Sequence, residues 1–496
     1  MGAGEFSRES LLKDLSSMVA GERVFSDTET LKKYAQDTSR APSRMPDVVV
    51  KVTSTAEIQK VVKYANEKSI PVTPRSSAIG FYGAGIPQEG GIIIDMTLMK
   101  RVMRVDTRNK WVLIEPGVTY GELQKELAKH GMRALNPLLP HQDKSVITST
   151  LEREPKLTPK HHLDETILTM EMVLPTGELF RTGAMAVPAS APEKVPDEVH
   201  SDLCNSMGPG IDWYRLIPGS LGTYGIVTAM NMKIAYLPVK QKLVFFGFKQ
   251  LEDAIEAFYK IERKQIGDEC FLLNNSYLAA ILASSPEDIG RIRSVLPPYV
   301  LTLNVTAGEW LPEEKMDYQM EALEEISRTY LLKPMESLPG VQEAEKTITE
   351  HLYQSWNNGG SYWKFRALGA SQEIFFLTPL SRAPEFLAIV KDIAGKYDYP
   401  VNQIGVYLQP KQWGKAFQME VSLPYNPEDI LAQQTADKMY DEASRELINK
   451  GAFFYRIYGA WADMVYSRTG NLHATLKKIK KILDPNQILN PGKLGF

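Results

Sequence analysis

Between Pro71 and Pro87 the chain reads P-V-T-P-R-S-S-A-I-G-F-Y-G-A-G-I-P, with three glycines, two serines and no acidic side chain. Glycine at 80, 83 and 85 permits left-handed backbone and close approach of another group. Consecutive free N–H groups in such a loop form an anion-binding concavity. Arg75 adds a charge that pairs bidentately with phosphate. The stretch lies between two strand-like apolar runs, residues 47–52 and 91–96. Alone it also fits an ordinary glycine-rich turn, so the rest of the chain has to decide.

Upstream, Ser54 and Glu57 have the spacing of a capping box, and Ile58, Val61, Val62 and Ala65 follow at helical spacing. Residues 70–73 return as a strand, so the glycine stretch closes a βαβ unit. Residues 111–115 read as another strand. Thr119 and Glu122 cap a second helix carrying Leu123 and Leu127, with Gly131 as its C′ stop. Residues 168–174 and 178–182 form a hairpin across Pro175-Thr176-Gly177. Residues 184–213 are dense in Pro, Ala and Ser without apolar periodicity, a long loop either ordered by a partner domain or mobile, and a candidate docking segment in the third reading below. A second glycine-punctuated turn, G-S-L-G-T-Y-G-I-V, begins at Gly219. From 241 to 466 strands and helices alternate. Leu472, Leu476, Ile479 and Leu483 then make a last helical stripe before D-P-N and the closing N-P-G-K.

At 496 residues the chain exceeds one usual core, so two or more domains are expected. Its net charge of −3 and lack of a basic block speak against nucleic acid. Two cysteines, Cys204 and Cys270, make neither a disulfide framework nor a zinc ribbon, which fits a reducing, cytoplasmic setting. No apolar run is long enough for a membrane span, and no metal site is evident. G-x-G-x-x-G, G-x-x-x-x-G-K-[ST], G-x-S-x-G, H-E-x-x-H and C-x-x-C are all absent. Rossmann dehydrogenases, P-loop NTPases, nucleophile-elbow hydrolases and zincins are thereby disfavoured.

The remaining pattern resembles the vanillyl-alcohol oxidase / p-cresol methylhydroxylase family of FAD-dependent oxidoreductases. The likeness rests on the helix and loop at 54–87, then E-P-G-V-T-Y at 115–120 and T-L-E-R at 150–153. It continues with Thr158-Pro159, M-E-M-V-L at 170–174, R-T-G at 181–183, G-I-V-T at 225–228 and the D-P-N…N-P-G-K tail. Their colinear order over more than 400 residues makes it specific. It implies an α+β protein: a two-part PCMH-type FAD-binding domain, residues 1–237 with 467–496 returning to it, and an α+β cap with an antiparallel sheet, residues 238–466.

The resemblance also implies site residues. The first loop, Pro74, Arg75, Ser76, Ser77, Ala78, Ile79, Gly80 and Phe81, would hold the FAD pyrophosphate. Pro140, Thr148, Ser149 and Glu152, then Gly222, Gly225, Ile226 and Val227, and finally Lys493 complete the cofactor set. Tyr455 and Arg456 match the pair that binds the substrate phenolate, and Phe81 or Tyr82 falls where the family has another phenol-binding tyrosine. A phenol ionises near ~10 in water, and a guanidinium beside it favours the anion. Tyr455 and Arg456 also fit a purely structural pinning of cap to FAD domain. The family often tethers FAD through a His or Tyr of the cap. Gln418 and Met419 occupy the best-matching positions here, so FAD is expected to be non-covalent.

Where the family has an aspartate near flavin N5, this chain has His162, with Asp164 two residues on. An extended segment would point His161 and His162 to opposite sides and put His162 and Asp164 together. Neutral His162, oriented by Asp164, suits the role of base, and a solvated polar loop is the plainer alternative. His130, His141, His200, His351 and His473 show no partner pattern. The implied reaction removes a hydride from a small, 4-hydroxy-aromatic alcohol or alkylphenol, with electrons passing to O2 or a protein acceptor. A 2-hydroxy acid dehydrogenase subunit of the glycolate-oxidase / D-lactate-dehydrogenase type is the runner-up. Its metal-binding members carry H-x-G-D-G-N-x-H, of which only T-G-N-L-H at 469–473 is present. A non-catalytic flavin-binding subunit is the third reading, and a homodimer or larger assembly is expected by analogy.

Overall fold

The computed structural model describes residues 8–187, 204–356 and 360–496. His200 and the middle of the 184–213 loop lie outside them. Three sheets organise the chain. In the first, β1 (Val24–Phe25), β2 (Val48–Lys51), β3 (Val72–Arg75) and β4 (Ile92–Asp95) take the order β1-β2-β4-β3. The last three run parallel, and the helix Thr55–Lys68 makes the crossover from β2 to β3. Val48, Val50, Val72, Ile92 and Ile94 share one buried core with Ile58, Val61 and Val62 of that helix. Both faces of a parallel sheet need such cover, which is why these strands are nearly continuous apolar runs.

The second sheet is antiparallel. It contains β5 (Val102–Asp106), β6 (Trp111–Ile114), β7 (Met132–Ala134), β8 (Ile167–Val173), β9 (Leu179–Arg181) and β10 (Ile226–Tyr236). Its order is β5-β6-β10-β8-β9, and β7 pairs with the far end of β10. The third sheet holds β11 (Lys240–Phe248), β12 (Glu269–Asn274), β13 (Tyr299–Ala307), β14 (Ala370–Thr378), β15 (Gly405–Lys411) and β16 (Ala416–Tyr425). Its order is β11-β13-β12-β15-β16-β14, antiparallel throughout. Phe258, Leu323, Phe386, Val390 and Met439, from four helices, pack with Ile374, Phe376, Val421 and Leu423 on one of its faces.

The opposite face near β14–β16 is unusual. Along β16, Gln418, Glu420 and Ser422 alternate with apolar residues, a pattern that normally marks the solvated side of an antiparallel sheet. Here they are 0%, 3% and 0% exposed. Opposite Glu420 and Gln418 in the β15 register stand Tyr407 and Gln409, and Lys411 extends the row. A polar sheet face is therefore buried inside the protein.

Two local expectations need correction. Ser54 accepts from the Glu57 amide, but the Glu57 carboxylate turns to the Thr53 amide (2.8 Å) and to Arg23 (2.6 Å) instead of the Ser54 amide. A nearby guanidinium outcompetes the reciprocal half of the capping box. The box at Thr119 and Glu122 is complete. That helix ends at Ala128 with Lys129 as its cap, so left-handed Gly131 sits one residue beyond C′.

Candidate functional site

The glycine loop begins where β3 ends and borders a cavity of about 900 Å³. Pro74, Arg75, Ser76, Ser77, Ile79, Gly80 and Gly85 line it from this side. From Ser77 to Tyr82 the backbone amides donate to no protein acceptor among the described residues. Those of Ser77, Ile79 and Gly80, which line the cavity, are free to meet an anion there. The segment behind the loop explains its glycines. A Cβ on Gly80 would lie 2.6 Å from Asp37 Oδ2, and one on Gly83, at φ +73°, would lie 2.5 Å from Ala41 Cβ. Asp37 accepts from the Gly83 amide at 2.9 Å, and Thr38 donates twice to the Gly80 carbonyl. Gly83→Ala is therefore expected to weaken FAD binding by roughly 10-fold or more, from backbone strain of order 1–3 kcal/mol plus the clash. A flavin-fluorescence titration reads it, and unchanged affinity would show that this loop is not the cradle.

The second glycine turn closes the cavity. Gly222 (φ +73°) packs so tightly that a Cβ would meet Pro74 Cγ at 2.6 Å. Gly225, Ile226 and Val227 complete this wall, and Thr148 and Glu152 line the cavity from the helix Val146–Leu151 and its cap. The C-terminal motif is the clip between the two loops. Asn490 Nδ2 donates to the carbonyls of Ala84 (3.0 Å) and Leu221 (2.7 Å). Asp484 accepts from the amides of Ile488 and Leu489 and from Lys480. Lys493 donates to the Gly83 carbonyl at 2.8 Å, outside the cofactor cavity, and burial pushes its amine down to about 8.

Beyond the loop lies an inner chamber of about 520 Å³ between Phe81-Tyr82, residues 137–155 and the buried polar face of the third sheet. Its walls are aromatic: Phe81 stacks on Tyr362 at 5.3 Å, Tyr82 stacks on Tyr458 at 4.7 Å, and Trp363 and Tyr407 line it. Arg456, 2% exposed, lies over the rings of Tyr82 (4.5 Å) and Phe375 (4.2 Å). Among the described residues its Nε and Nη2 have no hydrogen-bond partner, although Glu154 Oε1 stands 3.9 Å from Nη2. Lys144, fully buried, holds Glu152 and Glu154 at 2.6 Å each, and Ser149 donates to Glu154. Burial alone would raise Glu154, but Lys144, Arg456 and Ser149 outweigh it and bring the carboxyl down to about 2. Burial dominates at Glu152, which is pushed up. Lys364 bridges Glu373 (3.2 Å) and Glu420 (2.6 Å), and burial lifts Glu373 to about 7. Glu152 lines the cofactor cavity and Lys144 the chamber, so one ion pair stands between them. A wider cavity shares Phe81, Tyr82 and Glu373 with the chamber and reaches Arg40, Tyr440 and Asp441.

The remaining expected residues fall into two groups. Phe81 and Pro140 line the chamber and not the cofactor cavity, as does Tyr82. Ala78 lines none of these three cavities, although its carbonyl accepts from Arg75 at 3.1 Å. Ser149 is buried behind the wall, between Tyr120 and Glu154. Residues 163–166 form a turn after a bend at His161, not an extended segment. Carboxylates pull the chain back on itself: the His162 amide donates to Glu165 at 2.7 Å. The two imidazoles still diverge, His161 toward Glu165 (3.9 Å) and His162 toward Asp164 (3.5 Å). Burial drops His161 to about 4. Burial pushes the Asp164 carboxyl up, but His162 and the charges of Arg153 and Arg215 prevail and lower it. Leu163 packs against Tyr455, whose hydroxyl donates to Gln418 Oε1 at 2.6 Å. Gln418 Nε2 is buried without a partner. His162 and Asp164 thus adjoin each other and Tyr455 packs on the intervening Leu163, while Arg456 alone of the four lines the chamber.

Motif reading passes over Lys144, Glu154, Lys364, Glu373 and Glu420. It also finds no partner pattern around His141. His141 lines the chamber, 5.7 Å from the Tyr362 ring, and burial lowers it. His473 is not partnerless either: it stacks on Tyr466 at 4.1 Å and meets the Leu494 carbonyl. The polar alternation of β16 was the one available signal for a buried site.

Amides without a protein acceptor and two glycine turns at close approach around one cavity fit an extended dinucleotide such as FAD. Residues 46–183 match the family described as FAD binding domain, and residues 461–494 match FAD linked oxidases, C-terminal domain. The D-lactate dehydrogenase of Anaerostipes hadrus is 23% identical over 495 residues, covering 96% of both chains. The 4-cresol dehydrogenase [hydroxylating] flavoprotein subunit of Pseudomonas putida is 22% identical over 546 residues, covering 99% of this chain and 96% of its own. Crystalline p-cresol methylhydroxylase with substrate bound superposes with TM-score 0.84 at 18% identity, over 100% of this chain and 98% of that one, and so carries the same fold. The expected two-part α+β architecture is the one observed. The chain carries an FAD binding domain and the C-terminal domain of FAD linked oxidases, and it is an FAD-linked oxidoreductase.

Proposed function

We propose that this enzyme oxidises a small aromatic alcohol or alkylphenol that binds as its 4-oxyanion in the inner chamber. The observation that carries the reading is Arg456, buried among aromatic rings, whose Nε and Nη2 make no hydrogen bond among the described residues and whose nearest anion, Glu154, stands 3.9 Å from Nη2. A buried guanidinium edge demands an anionic acceptor. Phe81, Tyr82, Tyr362 and Trp363 supply flat walls for a ring. Residues 1–237 with 467–496 form the FAD half and 238–466 the cap in this reading.

Bound FAD supplies the two-electron acceptor. Arg456 holds the oxyanion and keeps the phenol ionised. Tyr455 braces Gln418, and through Leu163 it supports the His162–Asp164 turn. In this reading His162, which lies outside the chamber lining, is the base that receives the alcohol proton, and Asp164 lies 3.5 Å from its ring. His162→Ala is expected to leave FAD affinity intact and slow anaerobic flavin reduction by about 10²-fold or more; reduction at the wild-type rate would remove His162 from the chemistry. Gln418 and Met419 cannot form a flavin bond, so acid precipitation should release all the flavin into solution. Colour left on the polypeptide would overturn the non-covalent reading.

A 2-hydroxy acid is the second reading, favoured by the same unpaired edge, because a carboxylate also fits the Arg456 fork. Anaerobic mixing of holoenzyme with 4-hydroxybenzyl alcohol, D-lactate and glycolate separates the two. Flavin bleaching by the alcohol alone supports the phenol reading, and bleaching by either acid alone replaces it.

A further inference from the structure

Two sets of polar atoms in the inner chamber lack partners, and they are of opposite kind. Arg456 Nε and Nη2 make no hydrogen bond among the described residues, with Glu154 Oε1 3.9 Å from Nη2, beyond hydrogen-bond reach. These two nitrogens form one edge of the guanidinium, a fork of donors. Glu373 leaves Oε1 open, an acceptor, while its other oxygen accepts from Lys364 at 3.2 Å. The neighbouring charges are taken: Lys144 by Glu152 and Glu154, and Glu420 by Lys364 and Tyr277.

The two openings share one wall. The Arg456 guanidinium lies 4.2 Å over the Phe375 ring, and Glu373 stands two residues before Phe375 on β14. Residues two apart on a strand face the same side. Both line the same cavity. A buried donor edge and a buried acceptor each carry a desolvation penalty until a ligand meets them. A ring with one oxyanion satisfies only the first. A methoxy neighbour offers no proton to the second.

We propose that the chamber selects aromatic rings with two hydroxyl positions, a catechol-type substrate whose oxyanion takes the Arg456 edge and whose second hydroxyl donates to Glu373. Glu373 is the residue that sets this choice. The inference rests on the phenol reading of the chamber and narrows it. The walls around it are crowded by aromatic rings, so the second hydroxyl and not ring size does the discriminating.

The test uses holoenzyme and three ligands without an oxidisable benzylic carbon: phenol, catechol and 2-methoxyphenol. Dissociation constants come from ligand-induced changes in flavin absorbance. Catechol is expected to bind at least about 10-fold more tightly than phenol, and 2-methoxyphenol no more tightly than phenol. In Glu373→Leu the catechol preference should fall to roughly 1, while Glu373→Gln, which keeps a carbonyl acceptor, retains most of it. If the leucine variant fails to fold, the wild-type ligand series still decides. Equal affinities for phenol and catechol, or a preference that survives in Glu373→Leu, overturn the proposal and leave the phenol reading standing. If none of the three ligands perturbs the flavin, the phenol reading falls and takes the proposal with it.

Discussion

Arg456→Lys is expected to lower kcat/KM toward a phenolic alcohol by about 10²–10³-fold while the protein keeps its flavin. The reason lies in geometry. The Nε and Nη2 edge presents two parallel donors, and a lysine ammonium presents a point charge that cannot reproduce the fork. Arg456 also spreads flat over the Tyr82 and Phe375 rings, so its plane is fixed before substrate arrives. Lysine loses that preorganisation as well. The cofactor cradle is built from other residues, so the flavin-to-protein absorbance ratio should not change. Steady-state kinetics with that ratio as a control checks the prediction. A loss under about 10-fold would mean that the substrate oxygen does not sit on this edge.

Lys144→Met removes the one cation held between two buried carboxylates. Glu152 and Glu154 would then face each other with only the more distant Arg456, 3.9 Å from Glu154, to offset them, and breaking such a buried set costs about 3–5 kcal/mol. The denaturant midpoint should fall accordingly. Glu154 also gives the effect a pH signature. Its folded value of about 2 lies below its ordinary 4.5. A carboxyl depressed on folding stabilises the native state above its unfolded value, and that stability disappears as pH falls through the folded one. The deficit of Lys144→Met should therefore be full near neutrality and shrink steadily below about 4.5. Lys144→Met combined with Glu154→Gln should recover part of the loss, because the second change removes one stranded charge. A midpoint within experimental scatter of wild type would show that the triad carries no net stabilisation.

Local patterns made the cofactor half legible in the sequence. The βαβ unit follows from apolar runs and a capped helix, and the loop at 71–87 follows from glycines that close packing requires. The tail motif was visible too, although its work as a clip between Ala84 and Leu221 depends on residues hundreds of positions away. The substrate half was far less legible for the same reason. Gln418, Glu420 and Ser422 alternate with apolar neighbours and read as a wet face until the first half of the chain covers them. Lys144 and Glu154 look like surface charges, and only the fold brings Arg456 beside them. Residues 160–166 have no periodicity that distinguishes turns from strand, so side-chain bonds such as Glu165 to the His162 amide decide their shape.

The oxyanion on Arg456 is the claim on which the chemistry depends, and anaerobic mixing of holoenzyme with two nearly identical alcohols tests it directly. One is 4-hydroxybenzyl alcohol, which can present an oxyanion, and the other is 4-methoxybenzyl alcohol, which cannot. Rapid bleaching of the flavin's visible absorbance by the first and none by the second is the expected result. Bleaching by both at similar rates would contradict it.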